Sequence, residues 1–330
     1  MRSSFLRSAA AAVCLAMVLS IPADAGQIRV SVGGASDVFT QENISVNVGD
    51  HVVWIWAGGL HSVVSGNPGA ATTTGDGKFR NTTSASGSLG SKFFWKVTGS
   101  GSVPYYCFPH APDMAGTINI QGTPVSIADF RITEVEFAPT GGLDRVQITN
   151  LGSDTGFLEH YRVSSQSGVA STITGSLVTL TPSSRTTLHL GASGTTTSSN
   201  VYLPAHPELG TAGSFALYVP NTSSTGSTAP ASLTDANQLV DYVEWGAAGQ
   251  AAQPNQTPAV SAGFWNAGGV VETTNSLPNG GAGYSISFCG SRTDRGPAFW
   301  NISTPNFGTG AICTTPTRTA TWGRIKSLYR

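Results

Sequence analysis

Charge is scarce in this chain. Asp, Glu, Lys and Arg make up only 11% of its 330 residues, against about 25% in an average globular protein. No basic patch of the kind that binds nucleic acid occurs. Long apolar runs are missing too. Past residue 25 no stretch approaches the roughly 18–20 consecutive apolar residues that cross a bilayer, so no membrane span is expected. Helix formers are few, whereas Gly, Ser and Thr abound, a composition that points to an all-β protein. Sulfur is sparse, with four cysteines and three methionines, and no His-X-His pair occurs anywhere.

The only long apolar run lies at the start. Arg2 and Arg7 precede an apolar stretch from Ala9 to Ile21, and Ala23-Asp24-Ala25 closes it. This is the layout of a cleavable secretory signal over residues 1–25. Val13, ahead of Cys14, is too bulky for a lipoprotein cleavage site, so no lipid anchor is expected. The mature chain then begins at Gly26 and is extracytoplasmic: periplasmic, secreted or at the cell surface. It keeps three cysteines, Cys107, Cys289 and Cys313, and one methionine, Met114. In an oxidising compartment an odd cysteine count leaves one reactive thiol or one metal ligand. Cys289 and Cys313 are 24 residues apart with Gly and Pro between them, an easy disulfide to close, which leaves Cys107 over.

Period-two alternation and turn residues divide the mature chain into two β units. The first, residues 26–121, has strand signatures at 28–32, 44–48, 51–56, 92–97, 103–107 and 117–120. Residues 65–91, rich in Gly, Thr, Ser and Asn, read as a long surface connection. Gly122-Thr123-Pro124 marks a linker over 122–126, so the two units are expected to fold independently. The second unit, 127–313, carries strand signatures at 130–135, 145–150, 187–190, 214–219 and 239–245. It is interrupted by a low-complexity segment at 221–234. A basic tail, 314–330, has four bases and no acids.

The rare residue types fall together. Cys107, His110 and Met114 share one short loop, Tyr105-Tyr106-Cys107-Phe108-Pro109-His110-Ala111-Pro112-Asp113-Met114, and His61 lies 46 residues before Cys107 between two strand signatures. Two imidazoles and a thiolate in a trigonal arrangement, with a weak axial methionine, are the ligand set of a blue (type 1) copper site. Soft sulfur favours Cu(I), imidazole suits both oxidation states, and the axial ligand helps set the potential. Pro109 and Pro112 stiffen the loop by fixing φ, and Gly116 is expected to turn the backbone into the last strand. Two alternatives stand beside this reading: a disulfide from Cys107 to Cys289 or Cys313, and simple packing of Cys107, His61 and Met114.

Residues 27–121 resemble the cupredoxins, in particular the plastocyanin, pseudoazurin and amicyanin group. The shared features are Val48-Gly49-Asp50 before an aromatic strand, Leu60-His61-Ser62-Val63, and Tyr106-Cys107-Phe108-Pro109-His110 leading to Met114-Ala115-Gly116-Thr117-Ile118. The resemblance implies a Greek-key β-sandwich binding one type 1 copper through His61, Cys107, His110 and Met114. It also implies a hydrogen bond from the Ser62 N–H to the Cys107 sulfur. Residues 127–310 are similar to the lamin-tail domain, which implies an immunoglobulin-like β-sandwich used for binding. The matching segments are Ile132-Thr133-Glu134-Val135, Asp144-Arg145-Val146-Gln147-Ile148-Thr149-Asn150 and Val240-Asp241-Tyr242-Val243-Glu244-Trp245-Gly246.

The other titratable groups suggest no catalysis. His51 opens a strand and is expected to be solvated, and His160, His189 and His206 lack metal-like spacing. Asp241 and Glu244, on a strand, are expected to be solvated or salt-bridged acids. Oxidases built on clustered histidines are excluded by the missing His-X-His pairs. No enzymatic activity is expected; the chain reads as a single-electron carrier that docks transiently to redox proteins near His110. A copper-storage protein, or a surface adhesin contacting a cell surface or polymer through its second unit, is the alternative.

Overall fold

The computed structural model describes residues 26–81, 92–97, 99–120, 127–137, 144–168, 170–174, 178–219, 233–234, 236–273 and 283–309. The expected signal, the 122–126 linker, most of the low-complexity segment, Cys313 and the tail lie outside them. The described chain is nearly all β.

Among the described residues the first unit has eight strands: β1 (Gln27–Val32), β2 (Phe39–Thr40), β3 (Asn43–Val46), β4 (His51–Trp56), β5 (Val64–Ser65), β6 (Lys92–Lys96), β7 (Gly101–Tyr106) and β8 (Ala115–Ile120). They form two four-stranded sheets, ordered β2-β1-β4-β6 and β3-β8-β7-β5. Pairing is parallel between β1 and β4, with Gln27 opposite His51 and Val32 opposite Trp56. It is parallel again between β3 and β8. Alternation puts Ile28, Val30 and Val32 of β1 and Val52, Trp54 and Trp56 of β4 into one core, with Tyr105, Ile118 and Ile120 from the second sheet.

Two expectations for this unit need correction. The 65–91 segment is not merely a surface connection, because Phe79 is fully buried with its ring centroid 4.9 Å from Trp54 and 4.6 Å from Trp95. Gly116 makes no turn. It lies within β8, where a Cβ would come within 2.2 Å of the Glu42 carbonyl oxygen and 2.6 Å of the Tyr105 ring, so close packing excludes any side chain.

The second unit continues with β9 (Phe130–Glu136), β10 (Arg145–Asn150), β11 (Gly156–Phe157), β12 (Arg162–Ser165), β13 (Ala170–Thr172), β14 (Thr179–Leu180) and β15 (Arg185–Leu190). Then follow β16 (Asn200–Leu203), β17 (Gly213–Tyr218), β18 (Leu239–Gly246), β19 (Val271–Glu272), β20 (Ser285–Phe288) and β21 (Trp300–Ser303). A six-stranded sheet, β16-β15-β10-β9-β20-β21, and a five-stranded sheet, β13-β12-β17-β18-β19, contribute to one core. Asp241 and Glu244 of β18 are buried, not solvated. Asp241 pairs with the Arg131 guanidinium at 3.0 Å and accepts the Ile132 N–H at 2.8 Å. Glu244 accepts from Tyr242, Gln250 and Gln256. A buried carboxylate stays only where such partners replace water.

The outer face of the β2-β1-β4-β6 sheet is covered by the second unit. Val53 and Phe94, which point away from the first core, join the second core, and Ile55 packs against it. Gln27 and Ala128 exchange backbone hydrogen bonds at 2.8 and 3.0 Å. The Gln27 side chain accepts the Phe157 N–H at 2.8 Å and donates to the Phe157 carbonyl at 3.2 Å. Arg29 pairs with Asp154, and Lys92 with Glu159, each at 2.6 Å. His51 belongs to this covered face and is fully buried, against the expectation of a solvated side chain.

Candidate metal centre

The centre is built at one end of the first unit, where β4 and β7 deliver their following loops. Gly58 and Gly59, both at positive φ, turn the chain after β4 and lead to His61. Its imidazole lies in a slot bounded by glycine: a Cβ at Gly33 would come within 2.4 Å of the ring, and one at Gly59 within 2.3 Å. The slot exists because both positions lack a side chain. The Trp56 indole N–H donates to the His61 carbonyl at 3.3 Å, fixing the loop from below.

After β7 the chain enters a 3-10 turn at Phe108–His110. The His110 N–H donates to the Cys107 carbonyl at 3.1 Å, the Met114 N–H to the His110 carbonyl at 2.9 Å, and the Cys107 N–H to the Met114 carbonyl at 2.9 Å. Three of the four expected ligands are thus tied to one another through their own backbone. Cys107, His61 and Met114 are buried, while the His110 side chain keeps 32% of its exposure.

The structure brings His61, Cys107 and His110 together. Nδ1 of His61 lies 3.2 Å from Nδ1 of His110, and the Cys107 Sγ lies 3.7 Å from the first and 3.3 Å from the second. A triangle with those sides has its centre about 2.0 Å from every corner, the distance at which an ion such as zinc takes imidazole nitrogen and about 0.3 Å short of its bond to thiolate sulfur. One ion fits the space between the donors, and the residues fit copper. Met114, from the same loop, is buried in the first core.

The surroundings act on the two buried donors in opposite senses, keeping the His61 imidazole neutral while favouring the protonated form of the Cys107 thiol. Burial pushes the Cys107 thiol up, and the Ser62 N–H, donating to its sulfur at 3.3 Å, works in the opposite direction. That hydrogen bond is the one the cupredoxin resemblance implies. Burial holds the His61 imidazole below its ordinary range; His110 lowers it further and Asp37 opposes them. A thiolate and two neutral imidazoles are the forms a metal requires. Cys107 is free, whereas Cys289 is disulfide-bonded. The alternative bridge through Cys107 is therefore not formed.

Residues 27–121 match the family of copper binding proteins, plastocyanin/azurin family. This cupredoxin domain is similar to solved structures of the same group. A mutant of amicyanin, in its reduced Cu(I) form at pH 4, is 24% identical over 29% of this chain and 82% of its own, with a TM-score of 0.23. Oxidised plastocyanin from Dryopteris crassirhizoma is 22% identical over 28% of this chain and all of its own, with a TM-score of 0.22. Amicyanin from Paracoccus versutus is 20% identical over 31% and 86%, with a TM-score of 0.22. No curated protein matches the chain.

Sequence reasoning missed one residue at the cupredoxin centre. Asp37, in the loop between β1 and β2, places one carboxylate oxygen 3.6 Å from Nε2 of His61 and the other 3.8 Å from Nε2 of His110. Asp37 is 24 residues before His61, in a Gly/Ser loop, and no spacing rule marks it.

Proposed function

We propose that this chain is an extracytoplasmic blue copper protein that carries single electrons, with His61, Cys107 and His110 as the equatorial ligands and Met114 as the weak axial one. The observation that carries this reading is the triangle of two imidazole nitrogens and one thiolate sulfur around a point about 2.0 Å from each. Bound copper would supply the one-electron Cu(II)/Cu(I) couple.

The residues divide the work. His61 and Cys107 hold their donors in the protein interior, where the glycine slot, the Trp56 indole and the Ser62 N–H limit their movement. Ser62 also accepts the Phe108 N–H through its hydroxyl at 2.7 Å, joining the two ligand-bearing loops. A site braced in this way changes little between oxidation states, which keeps electron transfer fast. His110 presents its outer edge to solvent. Leu60, 68% exposed, and Phe108, 41% exposed, are the chain neighbours of His61 and Cys107 and give this end an apolar rim. Such a rim suits brief docking of a redox protein near His110, because weak encounter interfaces are small. Export rests on residues 1–25 and on the Cys289 disulfide, which belongs to an oxidising compartment.

The test is optical. Mature protein given one equivalent of Cu(II) is expected to show the intense visible thiolate-to-copper band, bleached by reduction and restored by oxidation. Cys107→Ser is expected to abolish it. A colourless adduct of the unsubstituted protein would refute the assignment.

A further inference from the structure

Asp37 has no evident task in the fold. Its loop is closed by backbone, with the Gly33 N–H donating to the Val38 carbonyl and the Val38 N–H to the Ser36 carbonyl, both at 2.9 Å. The Asp37 side chain is 65% exposed, so its ion-pair contribution to stability is small. Yet its two oxygens are divided between the two histidines that face Cys107. Separations of 3.6 and 3.8 Å exceed a direct hydrogen bond. They close with a shift of about 1 Å or with one bridging water.

Imidazole chemistry gives this placement a meaning. Each histidine can offer Nδ1 to a metal only if its proton resides on Nε2, and the acceptor facing Nε2 decides that tautomer. Carboxylates behind ligating histidines orient the ring in this way and raise its basicity. Here a single carboxylate faces both rings. Its negative charge, on the far side of the imidazoles from the thiolate, also favours the higher charge state of a metal held between them.

Resting on the copper reading above, we propose that Asp37 is the positioning residue of the centre: its carboxylate holds His61 and His110 in the Nε2–H tautomer with Nδ1 turned inward, and it lowers the reduction potential of the bound copper.

Asp37→Asn keeps the shape of the side chain and removes its charge, and Asp37→Glu restores the charge. In metal-free protein at a pH where both imidazoles are neutral, nitrogen-edited NMR is expected to show Nε2–H on His61 and His110. The Nδ1–H form should grow in Asp37→Asn and recede again in Asp37→Glu. In copper-loaded protein, Asp37→Asn is expected to keep the visible band and to weaken Cu(II) relative to Cu(I) by about tenfold, the lower end for loss of an outer partner. That ratio is a rise of about 59 mV for a one-electron couple. Unchanged tautomers in Asp37→Asn would overturn the proposal, as would an unchanged potential. Lowered thermal stability with the wild-type potential would make Asp37 a structural residue and would overturn it equally. The metal-free measurement decides the role of Asp37 even if the unsubstituted protein proves colourless with copper, an outcome that would sink the copper reading alone.

Discussion

Phe79 illustrates how much a single side chain can do from an unpromising place. Its sequence neighbours are Gly77, Lys78, Arg80 and Asn81, yet its ring lies at the centre of an aromatic group with Trp54, Phe93, Trp95 and Tyr105. Ser65 and Asn81 anchor the backbone on either side: the Phe79 N–H donates to the Ser65 hydroxyl, and the Asn81 side-chain carbonyl accepts the Val63 N–H. Truncating a buried Phe costs about 3–5 kcal/mol. Phe79→Ala is therefore expected to lower the urea midpoint by that equivalent while leaving the visible copper band in place. Loss of the band with unchanged stability would contradict this division of roles. The contrast with the proposed ligands explains what could be read from residues alone. Cys107, His110 and Met114 are rare types at a spacing set by their chemistry, so they stand out. Phe79 and Asp37 act through contacts made across the fold, and their own segments carry no pattern that reports them.

At the scale of elements, β4 is the informative strand. His51-Val52-Val53-Trp54-Ile55-Trp56 has apolar residues on both faces, the mark of a strand covered on both sides. The strand itself was legible from that run, and its residues coincide with the expected 51–56. Its second covering was not, because the covering comes from residues more than 70 positions later in the chain. His51 records the consequence. Neither of its ring nitrogens has a hydrogen-bond partner among the described residues, and burial, with Lys96 adding to it, lowers its pKa to about 3. Unfolded, the same imidazole titrates near 6.5. Between those values the unfolded chain binds the proton and the folded chain does not, so acidification favours unfolding. Stability from this residue is complete above about pH 6.5 and is lost progressively as pH falls toward 3. His51→Leu removes the titrating group and places an apolar side chain where no partner is lost. Its unfolding free energy is expected to match that of the wild type near pH 7 and to exceed it at pH 4.5, as chemical denaturation at the two values would show. His206, lowered to about 4 by burial, adds a parallel slope that this substitution leaves intact.

For the molecule as a whole, composition and alternation indicated two β units and placed most strands, but not how firmly the units are joined. The expected hinge lies outside the described residues. What is described is an interface in which Val53 and Phe94 enter the second core and Ile127 enters the first. Separating the units would expose those side chains and leave the Gln27 and Lys92 partners unpaired. A fragment of residues 26–122 is therefore expected to be less stable than the full chain, and the intact protein to melt in a single transition. Calorimetry that resolved two independent transitions would count against this coupling.

The shared seam also makes the copper end and the second unit thermodynamic dependants of each other. A ligand bound only by the folded state stabilises everything that unfolds with it. Loading the metal would then lengthen the life of strands that never approach it, such as β12 (Arg162–Ser165) and β17 (Gly213–Tyr218) on the five-stranded sheet. In a compartment where proteases remove unfolded chains, the empty protein would be culled as a unit and the charged one spared, so that metal supply would set how much of the second unit survives.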